Sequence, residues 1–220
     1  MINRDPMSSE TLFSWRNLQF LDLIHYPDGS IPAGNITFIT GESGTGKSTL
    51  LKLLNRSMNP SGGTIQYRNR SLEDYPVLTL RREVSLVAQS AYVFPGTIRE
   101  NFREFHELRG QACPDDSTIR DFLEICRLDL SPDHRPDHLS GGERHRLYMA
   151  LFLSFSPRVL LLDEPTAALD PANSRGVLEG IGQYARSSGM SLVVVSHELG
   201  LAGEYADRIL DLGKRRKSNG

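Results

Sequence analysis

Between residues 41 and 48 the chain reads Gly41-Glu42-Ser43-Gly44-Thr45-Gly46-Lys47-Ser48, the spacing G-x-x-x-x-G-K-S. Glycines at those positions let successive backbone N–H groups turn toward one concavity, which a Cβ would obstruct. Lys47 is a point charge able to reach β- and γ-phosphate oxygens, and the Ser48 hydroxyl is a suitable ligand for Mg²⁺. The flanking pattern fits such a loop. Residues 35–40 alternate and then run apolar into Gly41, as a buried strand would. Residues 48–56 switch to a helical pattern, with Leu50, Leu51, Leu53 and Leu54 on one broad face. A helix starting near Lys47 aims its N-terminal dipole at the same concavity. Strand, glycine loop and helix in this order predict an α/β fold with a triphosphate site.

Two further segments point to the same chemistry. Val159-Leu160-Leu161-Leu162-Asp163-Glu164 reads as an apolar strand ending in two carboxylates. Ligands of open α/β sheets bind beyond the carboxyl ends of strands. Neighbouring residues of a strand point to opposite sides, so Asp163 can hold Mg²⁺ while Glu164 orients or deprotonates a water. Leu139-Ser140-Gly141-Gly142-Glu143 opens a helix predicted to run to about Phe155. Ser140 and Glu143 form an S-x-x-E capping box, which is useful for folding alone. A cap does not need two consecutive glycines, which weaken a helix start. They do leave backbone N–H groups bare for an anion.

The rest of the chain sets the frame. Residues 11–20 read as an edge strand, Pro27-Asp28-Gly29 and Ser61-Gly62-Gly63 as turns, and 64–67 and 84–88 as strands. Residues 97–127 look helical with a break near Pro114, and 171–187 form another helix. The nearly all-apolar runs 159–162 and 191–195 suit a parallel sheet covered on both faces. A chain of 220 residues, 39% hydrophobic, can bury a sizeable core. Its net charge of -2 gives no reason to expect a nucleic-acid surface. Cys113 and Cys126 match no metal-ligand spacing. The polar N-terminus lacks a signal-peptide pattern, and the apolar runs are too short to cross a bilayer. The basic run 214–217 reads as a solvated tail.

With its LSGGE segment, the sequence resembles the ABC ATPases over nearly its whole length and in the right motif order. Their usual signature ends in Gln, so Glu143 departs from it. The resemblance implies a P-loop NTPase (RecA-like) core with an N-terminal antiparallel β part and an inserted α-helical lobe. Residues 1–90 and 157–220 would form the core, and about 91–156 the signature lobe, within one domain. It implies ATP and Mg²⁺ as cofactors, with nucleotide contacts from the P-loop through Thr49. Gln89 would be the lid-loop residue sensing Mg²⁺, and His197 the switch histidine on the γ-phosphate. Asp170 would belong to the dimer-contact loop. Two ATPs would lie head-to-tail between two copies, each held by one P-loop and by the other chain's Ser140, Gly141, Gly142 and Glu143. The adenine-stacking aromatic is open among Phe20, Tyr26 and Trp15, with Phe20 preferred by strand order.

An ATPase motor needs a task, which phosphoryl transfer alone does not name. The compact length and the intact catalytic set favour the motor of a transporter, bound at the cytoplasmic face to a separate membrane-spanning subunit. A soluble ABC ATPase in DNA repair, translation or assembly is the alternative; such proteins usually carry coiled-coil insertions or a second cassette. A module that binds without turnover fits poorly with both Glu164 and His197 in place. Residues 91–101 are similar to exporter cassettes, whereas 132–138 lack the exporter Gly-Glu motif. That combination resembles the ATP subunit of bacterial iron exporters. His134 and His138 need not be iron ligands, since a cytosolic motor need not touch cargo.

Overall fold

The computed structural model describes residues 10–21 and 23–213; the basic run at 214–217 lies outside them. The chain begins with β1 (Thr11–Phe20), β2 (Ile24–His25), β3 (Gly29–Pro32) and β4 (Ile36–Thr40), then enters the glycine loop and α1 (Lys47–Leu54). Next come β5 (Gly62–Tyr67), β6 (Arg70–Ser71), α2 (Val77–Glu83) and β7 (Val84–Val87). Three helices follow: α3 (Ile98–Leu108), α4 (Asp116–Ile125) and α5 (Gly141–Ser154). The remainder alternates as β8 (Val159–Asp163), α6 (Pro171–Ser188), β9 (Ser191–Val195), α7 (Leu199–Tyr205) and β10 (Arg208–Asp211).

The strands form two sheets. One is antiparallel, in the order β2-β1-β5-β6 with β3 also on β1. The other is parallel, in the order β10-β4-β9-β8-β7. All residues of β4, β8 and β9 are buried, as a parallel sheet covered on both faces requires. Strand β8 shows the division. Val159 and Leu161 pack with the antiparallel sheet and α1, whereas Leu160 and Leu162 pack with the face under α3–α6. The architecture is thus the expected α/β one, with an antiparallel part on one side and helices on the other.

Local readings fail where pairing partners are distant in sequence. Residues 11–20 are not an edge strand: β1 pairs on both sides, and its Leu12, Phe13, Trp15 and Leu18 are buried. Gly62 and Gly63 do not form a turn but start β5. At Gly63, φ is +80° and a Cβ would come within 2.3 Å of the Asn17 carbonyl oxygen. The β1–β5 register shifts there, between Arg16 and Gln19, so the glycine serves a bulge. The pattern also gave no sign of α2, α7 or β10. Of these, β10 has no buried residue and three of its four are exposed, so it lacks the apolar run of its neighbours.

Because Leu160 and Leu161 are fully buried on opposite faces of one strand, Leu160→Ala and Leu161→Ala should each cost about 2–5 kcal/mol. Urea unfolding checks this; a cost well under ~1 kcal/mol at either position would show that its face is not a closed core.

Candidate functional site

The parallel register brings four loops to one edge of the sheet. Ile39, Val195 and Asp163 lie side by side across β4, β9 and β8. The P-loop follows β4, Glu164 follows β8, His197 lies two residues beyond β9 and Gln89 two beyond β7. All four therefore leave the carboxyl ends of their strands, where open α/β sheets bind ligands.

The glycine loop is held from both sides. Gly41, Gly44 and Gly46 have φ of 142°, 82° and 90°, values that L side chains rarely adopt. The Glu42 amide donates to Gly213 O at 3.3 Å, and Thr45 Oγ1 donates to Glu42 O at 2.9 Å. Gly46 is the N-cap of α1 and supplies no side-chain acceptor, so the helix start is left to an outside anion. Lys47 is buried, and its ammonium donates to Gly41 O at 2.9 Å and Glu42 O at 3.0 Å. Burial holds its pKa below the usual lysine value, with Glu164 and Asp163 acting in the opposite direction.

Ser48 Oγ donates to Asp163 Oδ1 at 2.7 Å. Burial raises the Asp163 pKa, opposed by that hydrogen bond and by Lys52 and Lys47. A hydroxyl and a buried carboxylate facing each other beside an uncapped helix start fit a hard divalent cation with phosphate ligands. Glu164 stands next to this pair, with its carboxylate shared between two residues. Gln89 Nε2 donates to Oε2 at 2.9 Å, and His197 Nε2 lies 2.9 Å from Oε1. Glu164 and Asp163 do not diverge through strand pleating, as the sequence implied. Glu164 has left the strand with φ 53°, and its amide donates to Val195 O at 3.0 Å. A non-glycine residue in the left-handed region is uncommon and clusters at functional sites.

The helix start at Ser140 forms the predicted capping box. Glu143 N–H donates to Ser140 Oγ at 3.3 Å, and Ser140 N–H donates to Glu143 Oε2 at 2.9 Å. The Ser140 hydroxyl also donates to Glu143 Oε2 at 2.7 Å. These bonds hold the Glu143 carboxyl below its usual pKa. The two glycines differ in their surroundings. A Cβ on Gly142 would meet Ala168 O at 2.8 Å and Leu169 Cδ2 at 2.9 Å, whereas one on Gly141 would meet nothing within 4 Å. Packing within the chain accounts for Gly142 alone. Asp170 caps α6, accepting from the Ala172 and Asn173 amides at 3.0 Å each.

Of the three candidate aromatics, two are committed inside the fold. Trp15 is 2% exposed and its indole N–H donates to Pro27 O at 2.9 Å. Tyr26 is 5% exposed and its hydroxyl donates to Gly46 O at 2.8 Å. A Cβ on Gly46 would come within 2.6 Å of that hydroxyl and 2.9 Å of Ile24, so Tyr26 and β2 support the glycine loop. Phe20 is half-buried and pairs with Ile24 across the β1–β2 hairpin. It therefore stands at the end of the hairpin that carries that support. Two contacts escaped the sequence reading: this tyrosine support, and Thr166 Oγ1 donating to Glu198 Oε1 at 3.0 Å. The second ties the loop after Glu164 to the residue after His197. For the second contact the signal in the sequence was Glu198 directly beside His197, whereas Tyr26 lies well before the glycine loop and offered none.

Comparison with known proteins agrees with this geometry. A family model described as ABC transporter matches residues 25–167. The chain is 34% identical over 192 residues to Protein STAR1 of Oryza sativa subsp. japonica, covering 87% of this chain and 54% of that one. It therefore spans about half the length of that relative. It is 35% identical over 184 residues to the Probable iron export ATP-binding protein FetA of Escherichia coli (strain K12), covering 83% of this chain and 81% of that one. The structure of a bacterial Atm1-family ABC exporter with ATP bound superposes with a TM-score of 0.79 at 25% identity. It covers 96% of this chain, and this chain covers 39% of it.

Phe20→Ala should weaken binding of ATP but not of tripolyphosphate, since only ATP carries a base to stack. Tyr26→Phe should instead cost about 1 kcal/mol of stability through the lost hydroxyl bond. Competition titrations and thermal unfolding read the two effects. Equal loss of both ligands in Phe20→Ala would assign Phe20 to the scaffold.

Proposed function

The chain belongs to the ABC transporter family, and on that footing we propose that it is an ATPase whose nucleotide site is completed by a second copy of itself. The observation that carries this reading is the convergence of Lys47, the Ser48–Asp163 pair and the Gln89–Glu164–His197 group at one sheet edge. The residues of the glycine loop through Ser48 and Thr49 hold the triphosphate. Lys47 exchanges its two carbonyl acceptors for phosphate oxygens, gaining a charged partner. Ser48 and Asp163 hold Mg²⁺, with Gln89 beside them; the ion supplies neutralisation of phosphate charge. Glu164 releases one of its two partners to accept a proton from the attacking water. His197, adjoining that carboxylate, is then free to face the γ-phosphate.

Every one of these groups comes from one side of the triphosphate. Gly141, which has open space where a side chain would stand, supports the other half of the reading. Ser140 and the Gly141 and Gly142 amides contact the nucleotide of a partner copy, and Glu143 keeps Ser140 in place. Asp170 caps α6 and leaves the loop 166–170 at that boundary.

No helix among the described residues is long and apolar enough to cross a membrane. The task we assign is that of a transporter motor at the cytoplasmic face, serving a separate membrane-spanning subunit. Residues 89–103 offer the surface for it: Tyr92 is 57% exposed and packs edge-on against Phe94 at 5.1 Å. The finer reading, iron export, is favoured by the similarity to FetA.

Glu164→Gln keeps the shape but removes the base, and should slow hydrolysis roughly 100- to 10,000-fold. With ATP that variant should run as a dimer in size exclusion with light scattering, and with ADP as a monomer. A variant that binds ATP yet stays monomeric with or without Mg²⁺, or that hydrolyses at the wild-type rate, would refute this assignment.

A further inference from the structure

The segment after β7 is bonded at both ends to groups of the nucleotide machinery. At its start, Gln89 holds Glu164. At its far end, the first turn of α3 is bonded to the loop that leads into Ser140. Ile98 N–H donates to His134 O at 2.9 Å, and Arg99 N–H donates to Pro132 O at 2.8 Å. The Arg99 guanidinium adds a fork: Nε and Nη2 donate to the two Asp116 oxygens at 2.8 and 2.6 Å, while Nη1 donates to Asp133.

Residues 94–101 are braced as one piece by Asn101, which is fully buried. Its side chain accepts from Phe94 N–H at 2.7 Å and donates to Phe94 O at 3.0 Å and Thr97 O at 2.9 Å. The Thr97–Glu100 capping box closes the same turn. From Asp133 the chain reaches Ser140 through the short turn Pro136–His138, and Arg144 reaches back to Pro136 O at 3.4 Å. Little slack separates the clamp from the signature.

We propose that Arg99 is a positioning residue: by clamping Asp133 to the first turn of α3, it sets where Ser140 and Gly141 stand and links the 89–97 surface to the composite nucleotide site. The inference rests on the half-site reading above. Its physical basis is direction rather than strength. The pair is about two-fifths exposed on the arginine side, so as a surface ion pair it adds little to stability. A planar guanidinium bonded to two carboxylates from two elements nevertheless fixes their relative placement, which a lysine point charge would not do. One face of the segment would feel a bound partner. Its two ends would then report that contact to this chain's Glu164 and, through Ser140, to the partner copy's nucleotide.

The test uses the Glu164→Gln chain as parent and measures ATP-driven dimerisation by light scattering, ATP affinity of the monomer, and amide exchange over residues 132–140. Arg99→Ala should leave monomer ATP affinity unchanged, weaken dimerisation roughly tenfold and speed exchange in 132–140. Asp133→Ala should do the same, and the double variant should be no worse than either single one. Unchanged exchange in 132–140, unchanged dimerisation, or additive losses in the double variant would overturn the proposal. Failure of the parent itself to dimerise would refute the half-site reading instead, and the exchange rates would then decide whether the clamp positions the loop.

Discussion

Ile39, Val195 and Asp163 stand side by side across three parallel strands, and the loops carrying Lys47, Gln89, Glu164 and His197 leave the sheet at that row or immediately next to it. In parallel pairing, neighbouring strands point the same way, so their carboxyl ends gather at one edge. A slip of one residue at β8 would turn Asp163 to the opposite face of the sheet. It would also exchange the two apolar sets, Val159 with Leu161 and Leu160 with Leu162, between the two cores. The same hydrophobic pattern that holds the fold therefore fixes the carboxylate opposite Ser48.

Burial at that edge acts on both signs of charge. It lowers the Lys47 pKa and raises that of Asp163, so each ion is less favourable alone than in water. Their neighbours oppose part of the penalty: Glu164 and Asp163 act on Lys47, and the Ser48 hydroxyl with Lys52 and Lys47 acts on Asp163. The direct hydrogen-bond partners, two backbone carbonyls for Lys47 and the Ser48 hydroxyl for Asp163, are neutral. A triphosphate with its metal offers Lys47 and Asp163 charged partners in a partly desolvated place, where such contacts are strong. The site is preorganised in position and incomplete in charge, which is the condition for tight and selective binding of that ligand.

What the sequence revealed was whatever depends on neighbours along the chain. The glycine spacing of 41–48, the apolar run into Asp163 and the Ser140–Glu143 capping box each require only a few consecutive residues, and all stand where the pattern placed them. The misses depend on partners far away. The central position of β1 comes from β5, more than forty residues on. Tyr26 reads as a candidate for stacking on adenine until its hydroxyl is seen to hold the Gly46 carbonyl. Arg99 looks like an ordinary helix-surface charge until Asp116 and Asp133 are brought beside it. The left-handed turn at Glu164 had no glycine to announce it.

The account's central claim is that one chain's glycine loop and another chain's Ser140 make a single nucleotide site. Mixing two differently damaged chains tests it directly. In a Glu164→Gln background, Lys47→Ala removes the phosphate contact and Ser140→Arg blocks the signature. A mixed pair still contains one undamaged composite site: the glycine loop of the Ser140→Arg chain facing the signature of the Lys47→Ala chain. Fluorescence energy transfer between labelled chains should show no ATP-dependent association for either variant alone and clear association in the mixture. ATP-dependent self-association of either variant alone, or none in the mixture of two folded chains, would contradict the account.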